Sequence, residues 1–459
     1  MSASRRARRS PPAVSDALPA LPPEAPASLA GPSPAQWIAA APWRLPLLLA
    51  VAAALFRLPW LGLPAAEVFD EVYHAKTALQ YLRGEPPIEW VHPPTAKLLI
   101  AVGVWAFGYN AWAWRLMPAL AGIALAPVFY LLARQVLTRP RAVVLACVLL
   151  LCDGVYLVQS RIAMTNIFAV LFQLSSAALV LHAVRKERLP AGVMAAAGLT
   201  LGLALSTRWT SLWAWGFLGL VLLVARGRRV LRPREVGLVV LAFAVLPTYV
   251  YVLSYLPWMH QQRFALSTPG GWWTALSELG RLQMAIWRYH ATLNATHPYF
   301  SAWYTWPWLY RPTWYHFSQQ NGWIRGIVAI GNPALWWASV PITLWALVTG
   351  LRERDWRPLL AAGGFLLLYL PWGISPRTLN YSHYLFEAIP YACLSLGLLL
   401  DRHWDDAGGG SWARSYVALV VALFFFFYPF LAALPVPQEW YYHRLFHNVR
   451  PWTWFSTWV

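Results

Sequence analysis

Residues 112–134 read WAWRLMPALAGIALAPVFYLLAR. No charged side chain stands between Arg115 and Arg134. A helix needs roughly 20 apolar residues to cross the hydrocarbon of a bilayer, so this stretch reads as a membrane span. Ten further apolar runs follow the same pattern, near 45–65, 142–159, 162–184, 190–207, 210–225, 235–257, 333–351, 358–374, 384–400 and 415–434. The expected fold is an all-α integral membrane protein with about eleven transmembrane helices.

Composition agrees. Of 459 residues, 59% are hydrophobic and 12% charged, and the mean hydropathy is +0.45. Soluble domains carry about 25% charged residues, so a soluble enzyme, a disordered chain and a nucleic-acid-binding module are all excluded. The net charge of +18 does not point to nucleic acid, because the basic residues form short clusters between apolar runs. The 30 Trp, 21 Tyr and 20 Phe fit the aromatic belts of membrane interfaces. Cys147, Cys152 and Cys393 all lie within apolar runs, which argues against a disulfide framework or a cysteine metal site.

Basic residues set the expected orientation. Arg5, Arg6, Arg8, Arg9 and Arg44 precede the first span. Alternate connections then carry Arg134/Arg139/Arg141, Arg185/Lys186/Arg188, Arg226/Arg228/Arg229/Arg232/Arg234, Arg352/Arg354/Arg357 and Arg402/Arg414. The opposite short turns hold only Arg161, Arg208 and Arg377. The N-terminus is therefore expected in the cytoplasm, and eleven spans put the C-terminus outside. Residues 1–41, rich in Pro, Ala and Ser, read as a disordered cytoplasmic tail rather than a cleavable signal peptide. A single transmembrane domain is expected over 42–434. Its long extracytoplasmic segments are about 66–111 and 258–332, with interfacial helices, and 435–459 is an extracytoplasmic tail. The run at 96–107 is short and reads as a helix lying in the interface.

Chemistry is sought in the outer segments. Asp70 and Glu71, in Phe69-Asp70-Glu71-Val72-Tyr73, are adjacent acids in a chain holding only 18. They suit a general base with a second carboxylate orienting an acceptor. The competing reading is a helix cap, with Asp70 preceding EVYHAKTALQYL. In Val91-His92-Pro93-Pro94-Thr95-Ala96-Lys97, two prolines stiffen a turn that presents His92 and Lys97 for a phosphate; alternatively the prolines start a helix and Lys97 snorkels. Arg115, Arg161 and Arg208 stand at outer span ends, where a cation can bind a ligand or a lipid headgroup. Arg57, inside the first span, is assigned a structural part. The aromatic surface offered by Tyr73, His297, Tyr299 and Trp306 can stack on sugar or form an interfacial belt. Glu387 needs a buried partner, for which Arg377 or His383 is expected. There is no HExxH, DxD or phosphate-binding glycine loop; no cofactor is assigned, and a divalent metal is left to a chelator test.

These residues resemble a known family. The pieces FDEVYHAKTALQYLRGE, VHPPTAKLL, WRLMPALAG, LVQSRIAMTN, LALSTRWTSL, HPYFSAWYTWPWLYRP, GNPALWW and SHYLFEAIPY are similar, in order, to bacterial protein O-mannosyltransferases. Those are membrane glycosyltransferases of the GT-C type, with eleven spans. The resemblance implies mannose transfer from a polyprenyl monophosphate to Ser or Thr hydroxyls of an exported protein, on the extracytoplasmic face of the plasma membrane. It implies Asp70 as base with Glu71 beside it, and places the family's His-Pro-Pro-x-x-Lys element on His92 to Lys97 and its span-two Arg on Arg115. With Arg161 and His383, these are the candidate donor or phosphate groups. One departure stands out. Asn166 occupies the place of an Asp in the Ser-Arg-x-x-x-x-Asp turn, which removes a charge partner expected for Arg161. Other readings are a related transferase acting on a lipid or cell-envelope glycan, and a non-catalytic transporter. The transporter predicts repeat symmetry, and the sequence has no clear internal repeat.

Overall fold

The computed structural model describes residues 41–406, 409–445 and 449–458. The tail read at 1–41 lies, apart from Ala41, outside the described residues, as does Val459. The chain divides into two compact units, Met1–Leu45 and Pro46–Val459; the description below concerns the second.

Helices dominate, as expected. Six are long and apolar enough to cross a membrane: Ala111–Val136, Asn166–Val184, Pro233–Ser254, Pro333–Glu353, Trp356–Ile374 and Gly410–Leu431. The other five expected spans fall on shorter helices. Arg44–Arg57 stops two residues before Pro59. The 142–159 run is broken at Cys152-Asp153 into Pro140–Leu151 and Gly154–Gln159. Ala191–Leu205, Ser211–Arg226 and Ile389–Arg402 account for the rest. In the last of these, a 3₁₀ turn at Ser382–Glu387 replaces the expected start of the span.

The segment 66–111 holds two helices. Glu71–Arg83 ends on Gly84 in the left-handed conformation, and Thr95–Phe107 covers the run read as interfacial. One face of Thr95–Phe107 is buried. A Cβ on Gly103 would lie 2.2 Å from the Ala113 carbonyl. Only glycine allows so close an approach to the Ala111–Val136 helix.

The fold is not all helix. The segment 258–332 contains the helix Pro269–Thr292 and strands β1 (Thr313–Gln320) and β2 (Trp323–Ala329). The C-terminal segment adds β3 (Val436–Pro437) to an antiparallel sheet ordered β1-β2-β3. Asn321 and Gly322 join β1 to β2 with φ of 50° and 76°, the conformation that makes Asn-Gly the favoured two-residue hairpin turn. The segment after 435 is thus no free tail. Its Trp458 is 2% exposed and accepts a 2.7 Å bond from Trp314 Nε1 through its carbonyl.

Candidate active site

Segments 66–111 and 258–332, together with Met164, Thr165, Arg208 and side chains between Arg377 and Tyr384, line a cavity of about 610 Å³, with Asp70, His74, Glu89 and His92 on its wall. Asp70 owes its position to Phe69, whose φ is 49°. A bulky residue in the left-handed region costs about 1–3 kcal/mol and persists only where its surroundings fix it. Here the Phe69 ring stacks on Tyr315 at 4.4 Å, with Tyr381 edge-on at 5.7 Å.

Asp70 stands at the N-cap of Glu71–Arg83, yet its side chain makes no capping bond. The cap reading is therefore not realised. The carboxylate faces the cavity without a hydrogen bond from any described residue. Burial pushes its pKa above the usual carboxylate range and Glu89 adds to the rise, while His74, Arg208 and Arg377 pull it back. A carboxylate of this kind can take a proton.

Glu71 is placed differently. It is 0% exposed and accepts four bonds: Arg115 Nε at 2.8 Å, Arg115 Nη2 at 2.7 Å, Ala163 N–H at 2.9 Å and Val68 N–H at 3.0 Å. Arg115 also donates to the carbonyls of Leu61, Pro64 and Ala66. All five of its N–H groups are engaged. Neither residue lines the cavity. The expectations of an acceptor-orienting Glu71 and a phosphate-binding Arg115 thus meet two side chains already saturated by each other and by the backbone.

Lys97 is similar. It is fully buried, and its ammonium donates to the carbonyls of Glu89 and His92 at 3.2 and 2.7 Å and to the Glu89 carboxylate. Three donors meet three acceptors, so it ties the Glu89–His92 turn together and has none left for a phosphate. Arg161 donates to the carbonyls of Phe56, Arg57 and Pro59, at the C-terminal end of the Arg44–Arg57 helix, and is not among the residues lining the cavity. Asn166 does not concern Arg161. Its Oδ1 accepts from Arg208 Nη1 at 2.9 Å.

His92 and His383 do line the cavity, as do Tyr73 and His297. His383 Nδ1 is buried without a partner, and its ring stacks on Tyr381 at 5.5 Å. Trp306 is no sugar platform. It is 0% exposed and packs behind Tyr384 and Trp372. Tyr299 lies against His297, with ring centres 5.7 Å apart, outside the lining. Glu387 takes neither expected partner. It accepts from Thr210 at 2.7 Å and Gln173 at 3.1 Å, with Arg208 at 3.9 Å.

The cations that face the cavity are Arg208 and Arg377. Arg208 is held by Thr165, Asn166 and the face of Tyr384, 5.2 Å from its guanidinium carbon, with Nε buried and unbonded. Arg377 donates from Nε to the Leu379 carbonyl and shares a 2.9 Å contact with His290 Nδ1. In the sequence Arg208 reads as a cation at a span end, and Arg377 as one of two expected partners of Glu387. Glu89 and His74 were missed, and His290 reads in the sequence only as part of an aromatic surface; for Glu89 the signal was an acid three residues before His92.

His74, Glu89 and His92 each place a donor atom within 4.8 Å of the others, the residues that could hold a metal. His74 Nδ1 donates to the Ala163 carbonyl and His92 Nδ1 to Glu89 Oε1, each at 2.8 Å. Each Nε2 therefore keeps a lone pair. Glu89, however, already has its charge answered by Lys97, and Lys97 and His92 hold its pKa below the usual range against burial.

Comparison with known proteins follows the same lines. The family model for dolichyl-phosphate-mannose-protein mannosyltransferase matches residues 47–262, and that for the C-terminal membrane region of protein-O-mannosyltransferase matches 275–458. The polyprenol-phosphate-mannose–protein mannosyltransferase of Mycolicibacterium smegmatis is 29% identical over 86% of this chain and 90% of its own. In fold, the chain is similar to the S. cerevisiae protein O-mannosyltransferase Pmt1-Pmt2 complex bound to the sugar donor. The TM-score is 0.76 at 14% identity, over 91% of this chain and 92% of that one. ArnT from Cupriavidus metallidurans bound to undecaprenyl phosphate gives 0.54 at 18% identity, over 86% and 75%.

Proposed function

The chain belongs to the protein O-mannosyltransferase family, and from that premise we propose that it moves mannose from a polyprenyl monophosphate to Ser or Thr hydroxyls of exported proteins. The observation that carries this reading is the cavity itself. A carboxylate without a hydrogen bond from the described residues, Asp70, shares it with two guanidiniums, Arg208 and Arg377.

Each group matches a demand of the reaction. A lipid phosphate leaves readily when cations receive its charge, and Arg208 and Arg377 are the cations on the cavity wall. A Ser or Thr hydroxyl is a poor nucleophile until a base takes its proton, and Asp70 takes it. The anomeric carbon then exchanges its bond to phosphate oxygen for a bond to the hydroxyl oxygen in one displacement, which inverts the centre. Glu71 and Arg115 hold the segment that presents Asp70. His383, Tyr73 and His297 line the space for sugar and acceptor.

The reading includes eleven spans in the plasma membrane, with the N-terminus in the cytoplasm and the cavity outside. Support comes from the alternation of basic clusters and from helices at all eleven expected places. Tags in 66–111 and near residue 412 should report opposite sides.

The test is transfer by the full-length protein from labelled polyprenyl-phosphate mannose to a Ser/Thr-rich peptide, with the linkage determined by NMR. Label on the peptide with inverted configuration is expected. Label only in extracted lipid or envelope glycan would replace the protein acceptor, and retention of configuration would remove the single displacement.

A further inference from the structure

The arginines at the far end of the molecule from Asp70 are not spread evenly. Arg115 and Arg134 stand nineteen residues apart on the Ala111–Val136 helix, roughly 28 Å at 1.5 Å per residue. That is close to the hydrocarbon thickness of a bilayer, about 30 Å. At the Arg134 end two recesses open. One, of about 910 Å³, runs between the Ser211–Arg226 and Trp356–Tyr369 helices and is walled by side chains such as Phe217, Leu220, Val221, Leu360 and Leu367. The other, about 740 Å³, runs between the Ala111–Val136 and Asn166–Val184 helices, against Val128, Leu131 and Leu179. Both share Arg134, Gln135 and Arg185.

Among the described residues, no acidic side chain lines either recess. Arg185 and Arg357 lie against the same indole, with guanidinium carbons 5.4 and 5.8 Å from the Trp356 ring centre. Burial and the neighbouring Arg357 charge lower the pKa of Arg185, the mark of two cations held together. Asp355 answers Arg357 from outside the recesses, at 3.4 Å. Arg134 and Arg185 are exposed; Arg185 Nη2 donates to the Gln135 carbonyl, and its remaining N–H groups are open to a ligand.

The geometry points to a binding site for one anionic diacyl phospholipid, its phosphate between Arg134, Arg185 and Arg357 and one acyl chain in each recess. Charge complementarity selects an anionic headgroup, as basic pockets between membrane helices do. Two apolar recesses meeting at one cluster of cations fit two chains on one phosphate. A polyprenyl phosphate has a single chain and would leave one recess empty. The distance from Asp70 makes this a lipid of the leaflet opposite the active site.

The experiment is native mass spectrometry of the detergent-purified full-length protein, titrated with phosphatidylglycerol, phosphatidylcholine or undecaprenyl phosphate. One phosphatidylglycerol should be retained about tenfold more tightly than phosphatidylcholine. The Arg185→Ala/Arg357→Ala double variant should lose that preference. Gly363→Leu offers a second route that leaves the charges in place. A Cβ there meets only Phe217, at 3.6 Å, so the helix tolerates the change while the side chain fills a tail recess; phosphatidylglycerol retention should again fall. Equal retention of the two phospholipids, or unchanged retention in both variants, overturns the site. Preferential retention of undecaprenyl phosphate overturns the choice of ligand.

Discussion

Arg115 and Glu71 meet as a forked pair, Nε and Nη2 of one at 2.8 and 2.7 Å from the two carboxylate oxygens of the other, both fully buried. Three carbonyls and two backbone N–H groups complete the unit. The pair ties the stretch after the first span to the turn at Ala163, and so fixes the backbone from which Asp70 projects.

Breaking such a pair from one side leaves an uncompensated buried charge, at about 3–5 kcal/mol. Arg115→Ala should therefore lower the melting temperature and depress use of donor and peptide together. Arg115→Lys should not rescue it, since an ammonium cannot reproduce the planar fork. An Arg115→Ala protein of normal thermal stability with only donor KM raised would return Arg115 to the phosphate.

Arg208 and Arg377 are the cavity's own cations. Loss of a charge-assisted bond costs about 1.5–3 kcal/mol, roughly ten- to hundredfold in affinity. Arg208→Ala and Arg377→Ala should each raise donor KM by that order, with peptide KM little changed. Steady-state kinetics with each substrate varied separately decides it.

Asn166 refines this. Its amide oxygen accepts from Arg208 without cancelling the charge. An Asp there would do both and compete with the donor phosphate. Asn166→Asp should weaken donor binding several-fold at unchanged stability, readable by titration with the product polyprenyl phosphate. Tighter binding would mean that position 166 does not act through Arg208.

How far the sequence carried differs by residue, for physical reasons. Asp70 was legible because acids are rare in this chain and the pair sits at the edge of the first span. The β1–β2 hairpin was missed: Asn321-Gly322 between strand-like runs is its signal, but the aromatic content around it reads as interfacial belt. Arg115 showed itself as a cation at a span end. That its five donors are all engaged depends on where the carbonyls of Leu61, Pro64 and Ala66 fall, and spacing does not encode that. Arg377 and His290 meet across 87 residues, and nothing local to either announces the other.

The His74–Glu89–His92 cluster gives a further expectation. Lys97 already supplies the positive charge that Glu89 needs, with all three of its N–H donors engaged. Transfer should persist at near full rate in excess EDTA. Loss of turnover restored by a divalent salt would instead make the cluster a metal centre.

The sharpest prediction concerns Asp70. Its side chain makes no cap bond and no other hydrogen bond to the described residues, so Asp70→Asn removes a base without removing a structural contact. The variant should fold, melt as the parent does and bind donor, yet transfer about 10²–10⁴-fold more slowly, the usual worth of a positioned base. The pH profile gives an independent check. The base works only when deprotonated, and burial raises its pKa. The rate should therefore fall as pH drops through a value above the ordinary Asp range. His92 is lowered to about 3 by burial, so its protonation does not intrude on that limb. In Asp70→Asn the residual transfer should lose the limb. Near-parental turnover in Asp70→Asn, or an acid limb that survives the substitution, would assign the base elsewhere in the cavity, with Glu89 the next carboxylate on its wall.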